Sequence, residues 1–321
     1  MTENRNWLGH ALGLITMLIW GTTFIATKVL LTDLTPLAIL FYRFSLGYLA
    51  LWLIHPRAVR FRNLKEELLF AGLGLTGIAL YYLLENIALQ YTLASNVGLI
   101  IAAAPMLTAV IAHFGTGDER LRPGLVHGFL IAMTGVFLVI FNGSFVLRLN
   151  PLGDALAFLA ALVWAVYSVL LKRVDPVVNP TVAVRKSFFY GLLLIAPLLA
   201  RERAGFHFGI PGLPDWPLLL NLLFLGLAAS ALCFVMWGRA VRLIGAVAAS
   251  NYIYLVPLIT MLTSMIALRE RVNGLMIFGG LLILGGVYLA ERGAARSGLA
   301  TPRSGMSHGL GGPNSKIKPS E

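Results

Sequence analysis

Charged residues are scarce in this sequence, and their scarcity excludes most soluble folds. Of 321 residues, 12% are Asp, Glu, Lys or Arg, whereas 58% are hydrophobic. An ordinary soluble domain is about one-quarter charged and about half apolar, and the mean hydropathy here is +0.81. A soluble chain could not bury this much apolar surface. The composition excludes a soluble enzyme, a disordered protein and a nucleic-acid-binding protein, and it predicts a multi-pass membrane protein.

Residue types for metal, disulfide and nucleotide chemistry are also few. The single cysteine, Cys233, lies inside an apolar run and can form no intrachain disulfide. The six histidines fall at the ends of apolar segments, in a loop or in the tail, without metal-ligand spacing. The sequence contains no G-x-x-x-x-G-K-[ST] phosphate loop. We therefore predict no catalytic site, no metal site, no cofactor and no ATP-driven pump.

Ten apolar stretches have about the length that a helix needs to cross a bilayer, roughly 20 residues. They cover residues 8–31, 36–54, 68–90, 95–114, 125–141, 152–172, 183–200, 218–238, 246–268 and 274–290. Long runs rich in Leu, Ala and Gly favour helices over the short alternating strands of an outer-membrane barrel. The sequence therefore predicts an all-α membrane protein with ten transmembrane helices.

Basic residues are unevenly divided between the two sides of these spans. Eighteen of the 25 Lys and Arg residues fall on the side that carries both termini, six fall on the other side, and Arg43 lies within the second span. Because cytoplasmic loops carry the excess of positive charge, we expect both termini in the cytoplasm. Residues 1–7 form the expected cytoplasmic N-terminus. Residues 291–321, rich in Gly, Ser and Pro, form an expected disordered cytoplasmic tail.

The two halves of the chain resemble each other. An offset of 144 positions, which becomes 152 after an insertion near 201–216, aligns the halves over most of their length. Aligned pairs include Trp20 with Trp164, Pro36 with Pro180, Phe44 with Phe188, Gly74 with Gly226, and Pro105 with Pro257. We predict repeats at 8–141 and 152–290, joined by a linker at 142–151. Since each has five spans, the second repeat is inverted, as in many secondary transporters.

The most specific segment is ALQYTLASNVGLIIAAAPMLTAVIAHFGTGDERL (88–121), with a second copy at AVRLIGAVAASNYIYLVPLITMLTSMIALRERV (240–272). Both begin with small residues, carry a proline in mid-span and end near Glu-Arg. This pattern resembles the EamA family of the drug/metabolite transporter superfamily. The resemblance implies ten helices around a central cavity in a bacterial inner membrane, and export of amino acids or other small metabolites. Among relatives, the sequence is similar to bacterial aromatic amino-acid exporters.

Polar and aromatic residues in the spans are the candidates for substrate binding. We predict a substrate cavity lined by Trp20, Tyr82, Glu85, Asn96, Trp164, Tyr167, Asn251, Tyr252 and Tyr254. Aromatic walls suit an apolar or aromatic side chain, and buried amides and hydroxyls face a bundle or water rather than lipid. Each residue could instead serve packing or an interhelical hydrogen bond. Pro105 and Pro257 interrupt helical hydrogen bonding, so we predict paired hinges there, with a static kink as the alternative.

Glu85 and Arg43 are the charged residues placed well inside the third and second spans. An intramembrane acid is a functional candidate by default. Glu85 could carry a proton, meet a substrate ammonium, or form a charge pair with Arg43 that merely neutralises both. A phosphorylated substrate would need several cations in the cavity, and the candidates for that role are Arg43 and Lys28 alone. A zwitterionic or neutral substrate is therefore favoured.

The function that these features favour is a secondary transporter exporting small metabolites by alternating access. The expected partners are a small-molecule substrate and the lipid bilayer, with no nucleic acid. Oligomeric state stays open, and a monomer is compatible with the sequence. The alternatives are a carrier of another metabolite or drug class, a channel, an intramembrane enzyme, or a duplicated membrane scaffold without transport.

Overall fold

The computed structural model of the protein describes residues 2–56, 63–92, 94–116, 121, 123–141, 150–201, 216–267 and 273–298. Within these residues the regular secondary structure is entirely helical, with no strand, and the helices are joined by turns. The α-helices are α1 (Thr2–Leu30), α2 (Pro36–Ile54), α3 (Leu64–Gly74), α4 (Tyr81–Tyr91), α5 (Ala94–Ile101), α6 (Ala104–Gly115), α7 (Pro123–Phe141), α8 (Pro151–Lys172), α9 (Pro180–Arg201), α10 (Trp216–Leu223), α11 (Cys233–Ile244), α12 (Ala246–Asn251), α13 (Leu255–Ala267) and α14 (Gly274–Gly298).

Seven helical stretches among the described residues are long and apolar enough to cross a bilayer. They are Pro36–Ile54, Leu64–Ala88, Val97–Gly115, Pro123–Ile140, Pro151–Lys172, Pro180–Arg201 and Trp216–Ile244. The first predicted span is covered by α1, and the ninth and tenth by the shorter apolar stretches Ala246–Ile259 and Gly274–Ala290. The protein is therefore an all-helical membrane protein, while the count of ten spans stays a prediction.

Capping residues explain where several helices begin. The side chain of Thr35 accepts a hydrogen bond from the Ala38 amide (3.2 Å), and Asn150 does the same for Gly153 (3.1 Å). A proline follows each of these caps, where its missing N–H costs nothing. Gly245 separates α11 from α12 with φ of 88°, a conformation that glycine adopts without strain.

The last helix, α14, continues to Gly298. It therefore extends past residue 291, where the disordered tail was expected to begin.

Two π-helical segments interrupt otherwise continuous helices. The first, Leu75–Leu80, joins α3 to α4, and the second, Phe224–Leu232, joins α10 to α11. The two lie at equivalent positions of the sequence repeat, because the offset of 152 carries Leu80 onto Leu232. Wide π-helical turns are rare and occur frequently at functional sites. The amino-acid sequence gave no expectation of either segment.

The fourth and ninth predicted spans are each broken near the middle. α5 ends at Ile101 and α6 begins at Ala104, with Pro105 in its first turn. The second break is a short 3₁₀ segment, Tyr252–Tyr254, between α12 and α13, and Pro257 follows it. A proline cannot donate a helical hydrogen bond and clashes with the preceding turn. Both breaks therefore lie just before the paired prolines.

Close glycine contacts join α7 and α14. A Cβ on Gly128 would lie 2.7 Å from the Gly286 carbonyl oxygen, and one on Gly135 would lie 2.5 Å from the Gly279 carbonyl oxygen. Because residue numbers rise along α7 from 128 to 135 while those of the contacted residues in α14 fall from 286 to 279, the two helices run antiparallel. Small residues allow such close backbone approach in membranes.

A second matched pair of contacts joins the two halves nearer the centre. A Cβ on Gly47 of α2 would lie 3.1 Å from the Gly226 oxygen in the second π-helical segment. A Cβ on Gly74 of α3 would lie 2.6 Å from the Gly191 amide nitrogen of α9. The repeat offsets carry Gly47 onto Gly191 and Gly74 onto Gly226. The same contact thus occurs twice, with the roles of the halves exchanged.

We predict that Gly135→Ala lowers the free energy of unfolding by about 1–3 kcal/mol, the usual cost of overpacking. The added methyl would meet backbone atoms of α14 that cannot rotate away. Gly285→Ala is the matched control, because nothing lies within 4 Å of its added Cβ. The control should be neutral or stabilising by up to about 1 kcal/mol. Thermal unfolding of the purified protein in detergent measures both, and equal melting temperatures would contradict the packing.

Candidate functional site

Repeat-equivalent aromatic residues meet at the centre of the molecule. The rings of Trp20 on α1 and Trp164 on α8 lie 5.3 Å apart at 78°. Those of Phe44 on α2 and Phe188 on α9 lie 4.9 Å apart at 81°. Both geometries are the edge-to-face arrangement that aromatic pairs favour. In each of these two contacts, an aromatic residue of the first half meets its own sequence equivalent from the second half.

Phe234 of α11 lies between these pairs. Its ring centroid is 5.7 Å from Trp20, 5.2 Å from Phe188 and 6.0 Å from Tyr167. The side chain is fully buried. Further rings surround it, and we call the whole set the aromatic cluster. Its members are Trp20, Phe44, Tyr81, Tyr82, Trp164, Tyr167, Phe188, Phe234 and Trp237.

Three indoles of the aromatic cluster are in mutual contact, with differing hydrogen bonds. Their centroids are separated by 5.3 Å (Trp20–Trp164), 5.6 Å (Trp20–Trp237) and 5.9 Å (Trp164–Trp237). Trp20 Nε1 donates to the carbonyl oxygen of Ala229 in the second π-helical segment, at 2.8 Å. The Nε1 atoms of Trp164 and Trp237 are buried and have no acceptor among the described residues. Buried N–H groups without acceptors are rare in proteins.

Arg43 brings a positive charge to one side of the aromatic cluster. Its guanidinium carbon lies 4.5 Å from the Tyr82 ring centroid and 5.1 Å from that of Phe44. Its Nε donates to Ser230 Oγ at 3.0 Å, from the second π-helical segment. Only 5% of the residue is exposed. Cation–π contacts of a desolvated guanidinium are worth about 2 kcal/mol or more, which helps to explain how the charge is held within the bundle.

Glu85 and Asn86 are buried on α4, one turn beyond Tyr82. Glu85 lies near enough to Arg43 for a Coulombic interaction. Among the described residues, no ion-pair contact of 4.0 Å or less joins Glu85 and Arg43, whereas such a contact joins Lys186 and Glu67. The predicted Glu85–Arg43 charge pair therefore stays a prediction, with the two charges on the same side of the cluster.

The other predicted cavity residues lie at the break between α12 and α13. Tyr252 hydrogen-bonds through its hydroxyl to His10 Nδ1 at 2.8 Å, and its ring packs against Gly13 of α1. Tyr254 is buried, with its ring centroid 6.5 Å from that of Phe129. Asn251, fully buried, precedes them. This group has its own neighbours on α1 and α7, which are not members of the aromatic cluster.

The structure thus divides the predicted site residues into two groups. Trp20, Tyr82, Trp164 and Tyr167 belong to the aromatic cluster, with Arg43 and Glu85 beside it, whereas Asn251, Tyr252 and Tyr254 form the group at the break. Asn96 lies on α5, but its side chain is outside the described residues.

Sequence reasoning missed Phe234, Trp237 and Ser230 as members of the site. Phe234 is the repeat equivalent of Tyr82, and Trp237 is the equivalent of Glu85. The repeat alignment could therefore have identified both by carrying each first-half candidate into the second half. Ser230 gave no signal, because one serine in an apolar helix is unremarkable until Arg43 is placed beside it.

A separate polar network ties α3 to α9. Lys186 Nζ donates to Glu67 Oε1, and Tyr190 O–H donates to Glu67 Oε2 at 2.6 Å. Both charged side chains are buried, and Lys186 also lies 4.8 Å from the Phe70 ring centroid. Among the described residues, no three His, Cys, Asp or Glu side chains converge as a metal site would require.

We predict that Lys186→Met lowers the free energy of unfolding by about 3–5 kcal/mol, because it leaves the Glu67 carboxylate buried without its partner. The double variant Glu67→Leu with Lys186→Met should recover most of this loss, since an apolar pair removes the uncompensated charge. Thermal unfolding in detergent provides the measurement. A double variant no more stable than Lys186→Met would show that the pair is not coupled.

One protein-family model matches each half of the chain separately. The model of the EamA-like transporter family matches this chain twice, over residues 7–141 and 151–291. A crystal structure of another protein superposes with a TM-score of 0.71 at 23% identity, covering 90% of this chain and 98% of that one, so the two share a fold.

Curated relatives match over nearly their whole lengths. An uncharacterized transporter of Archaeoglobus fulgidus is 29% identical, covering 87% of this chain and 96% of its own. A probable terminal-alkyne amino-acid exporter of Streptantibioticus cattleyicolor is 26% identical (87% and 91% covered), as is a probable amino-acid metabolite efflux pump of Escherichia coli (87% and 93% covered). With both halves matched by the family model, the chain belongs to the EamA-like transporter family and is a transporter rather than an enzyme.

Proposed function

We propose that this transporter exports amino acids with apolar or aromatic side chains, as a secondary carrier that works by alternating access. The observation that carries the proposal is the aromatic cluster, where equivalent residues of the two halves touch and opposite charges lie to one side. A pocket at such a junction opens to either face of the membrane when the halves rock against each other.

The proposed architecture is ten transmembrane helices in two inverted repeats, residues 8–141 and 152–290, around a central cavity. The antiparallel packing of α7 and α14 supports the inversion, because these helices occupy equivalent positions in the two repeats. The exchanged contacts of Gly47 with Gly226 and of Gly74 with Gly191 support it independently. Termini in the cytoplasm of a bacterial cell, as the distribution of Lys and Arg predicts, complete the proposed arrangement.

The chemistry of the site supports a zwitterionic substrate. Arg43 can receive a carboxylate, and Glu85 can receive an ammonium group. With one charge of each sign, the site stays neutral when a zwitterion binds, whereas a lone anion or cation leaves an uncompensated charge in low dielectric. The rings around Phe234 offer apolar and aromatic contact to the side chain. A nucleotide sugar would need further cations beside Arg43.

The names of two relatives favour the same substrate class. The relative from Streptantibioticus cattleyicolor is named for amino-acid export, and the one from Escherichia coli for efflux of amino-acid metabolites. Amino acids share a carboxylate and an ammonium group on one carbon, which is the pattern that Arg43 and Glu85 match. Relatives at 26% identity support the class of molecule rather than one compound.

The paired breaks before Pro105 and Pro257 supply the proposed hinges. They occupy equivalent positions in the two repeats, so equal bending of both would exchange the shapes of the halves. Tyr252 belongs to the second break and bonds to His10 of α1, so bending there would also move a contact between the halves. Alternating access needs such bistable elements.

Counterflow in proteoliposomes tests the proposed function. Vesicles loaded with an unlabelled amino acid should transiently accumulate the same labelled compound, fastest for aromatic and large apolar amino acids because their side chains fit among the rings. Labelled nucleotide sugar should give no exchange, and Arg43→Gln should slow exchange by about tenfold or more through loss of the carboxylate contact. A pH gradient imposed in a parallel run reports proton coupling.

The outcomes separate the competing functions. No exchange with any amino acid would refute amino-acid transport. Flux that neither saturates nor requires substrate on the opposite side would indicate a channel.

We predict that the double variant Pro105→Ala with Pro257→Ala exchanges substrate at least about tenfold more slowly. Alanine is about 3 kcal/mol more favourable than proline inside a helix, so straight helices would be stabilised against bending. Pro197→Ala is the matched control, because Pro197 lies inside α9, away from both breaks, and should leave the rate unchanged. Full activity of the double variant would show that the breaks are static.

A further inference from the structure

The aromatic cluster contains two buried hydrogen-bond donors for which the described residues provide no acceptor. We propose that the indole N–H groups of Trp164 and Trp237 form a donor subsite for the carboxylate oxygens of the carried molecule. This inference rests on the proposed function and assigns the residues that would hold one group of its substrate.

Burial makes the two donors significant. Trp164 is 4% exposed and Trp237 is 0% exposed, so neither N–H reaches bulk water. A polar group that is buried without a hydrogen bond destabilises the state in which it occurs. Such groups in a native structure call for an explanation, and a role in binding a ligand would supply one.

The third indole shows that the packing of the cluster does not forbid hydrogen bonds. The ring centroid of Trp20 lies 5.3 Å from that of Trp164 and 5.6 Å from that of Trp237. Its Nε1 nevertheless donates a hydrogen bond to the Ala229 carbonyl oxygen at 2.8 Å. The N–H of Trp20, in the first half, therefore has an acceptor within the protein. The N–H groups of Trp164 and Trp237, in the second half, have none among the described residues. These two indoles are themselves neighbours, at 5.9 Å between centroids.

The chemistry of the group that they would bind follows from the donors. An indole N–H can only donate, so the ligand must present an acceptor. Two layers of rings separate Arg43 from Trp164: Arg43 lies over Phe44 and Tyr82. These two rings lie against Phe234 and Tyr81, which in turn contact Trp164. In the low dielectric of this buried cluster, the positive charge of Arg43 favours an anionic ligand oxygen over a neutral carbonyl. A carboxylate therefore fits the subsite better than an ester or an amide.

One consequence concerns the transport cycle. If the halves close around an empty site, both N–H groups stay unsatisfied, whereas closure around a carboxylate satisfies them. The loaded carrier should therefore change conformation more readily than the empty one, and exchange should be faster than net efflux. A purely structural role for the two indoles does not produce this difference.

Two matched compounds test the subsite. Phenylalanine and phenethylamine share the ring and the ammonium group and differ by the carboxylate. Binding to the purified protein is followed by tryptophan fluorescence, and the wild type should bind phenylalanine at least about tenfold more tightly. In Trp164→Phe and in Trp237→Phe this preference should fall by about tenfold, and the ratio of exchange to net efflux should fall with it.

Trp20→Phe is the matched control, because the N–H that it removes is already used by Ala229. Because Trp20 belongs to the aromatic cluster, its replacement should weaken the binding of both compounds, whereas the preference for phenylalanine over phenethylamine should be retained. Replacing Trp164 or Trp237 by benzothienylalanine, which keeps the ring size and exchanges the N–H for sulfur, should reproduce the loss even if a phenylalanine variant folds poorly. An unchanged preference in these variants, or an equal loss in Trp20→Phe, would overturn the subsite.

The two proposals fail in distinguishable ways. Amino-acid counterflow with an unchanged carboxylate preference in the indole variants would overturn the subsite and leave the function standing. A carboxylate preference that the indole variants lose, without any counterflow, would overturn the function and leave the subsite standing. A wild type that neither binds nor exchanges phenylalanine or any other amino acid would overturn both.

Discussion

Polar groups inside a bilayer cannot rely on water, and the rest of the structure depends on that constraint. The irregular backbone of the described chain accordingly lies against protein. The second π-helical segment provides the Ala229 oxygen to Trp20 and the Ser230 hydroxyl to Arg43. The first packs its Gly77 against the Tyr167 ring. Departures from regular helix therefore concentrate where the two halves touch, which is also where a carrier needs groups that can bind a polar molecule.

Helices, paired prolines and the Trp20–Trp164 pair could be predicted from the sequence, because each leaves a strong local signal. Apolar runs of bilayer length indicate helices, and the repeat offset relates Pro105 to Pro257. The structure places breaks at both prolines and brings both indoles into contact. These features depend on short stretches of chain or on the alignment of one half with the other.

The remaining features depend on contacts between distant helices, and the sequence carries no record of those. The π-helical segments have no composition that distinguishes them from α-helix. The separation of Tyr252 and Tyr254 from the aromatic cluster depends on where α12 and α13 dock against α1 and α7. The repeat alignment identifies position 237 as the equivalent of Glu85, but the contact of Trp237 with Trp20 and Trp164 depends on how α11 packs against α1 and α8.

The differences between the repeats indicate where the chemistry lies. Glycines and prolines are kept at equivalent positions, as expected if both halves bend and pack alike. The buried charges of the first half are not: Arg43 is equivalent to Ser187, Glu85 to Trp237, and Glu67 to Leu219. Two-fold symmetry between the halves suits a carrier that opens alternately to the two faces of the membrane, but an amino acid has no two-fold symmetry. Under the proposed function, a site that holds a carboxylate and an ammonium group in fixed places must break the symmetry, and Arg43 and Glu85 are the positions where it would do so.

The same groups can also connect recognition with movement. A ligand shifts a conformational equilibrium only by the difference between its affinities for the two states. In the closed cluster, Arg43 and the indoles of Trp164 and Trp237 are held in a site of low dielectric, where an unmatched charge or donor is unfavourable. Under the proposal, a molecule with a carboxylate would stabilise the closed state more than the open state, in which water can reach these groups. Selectivity and the conformational change would then arise from one set of contacts, without a separate device to couple them.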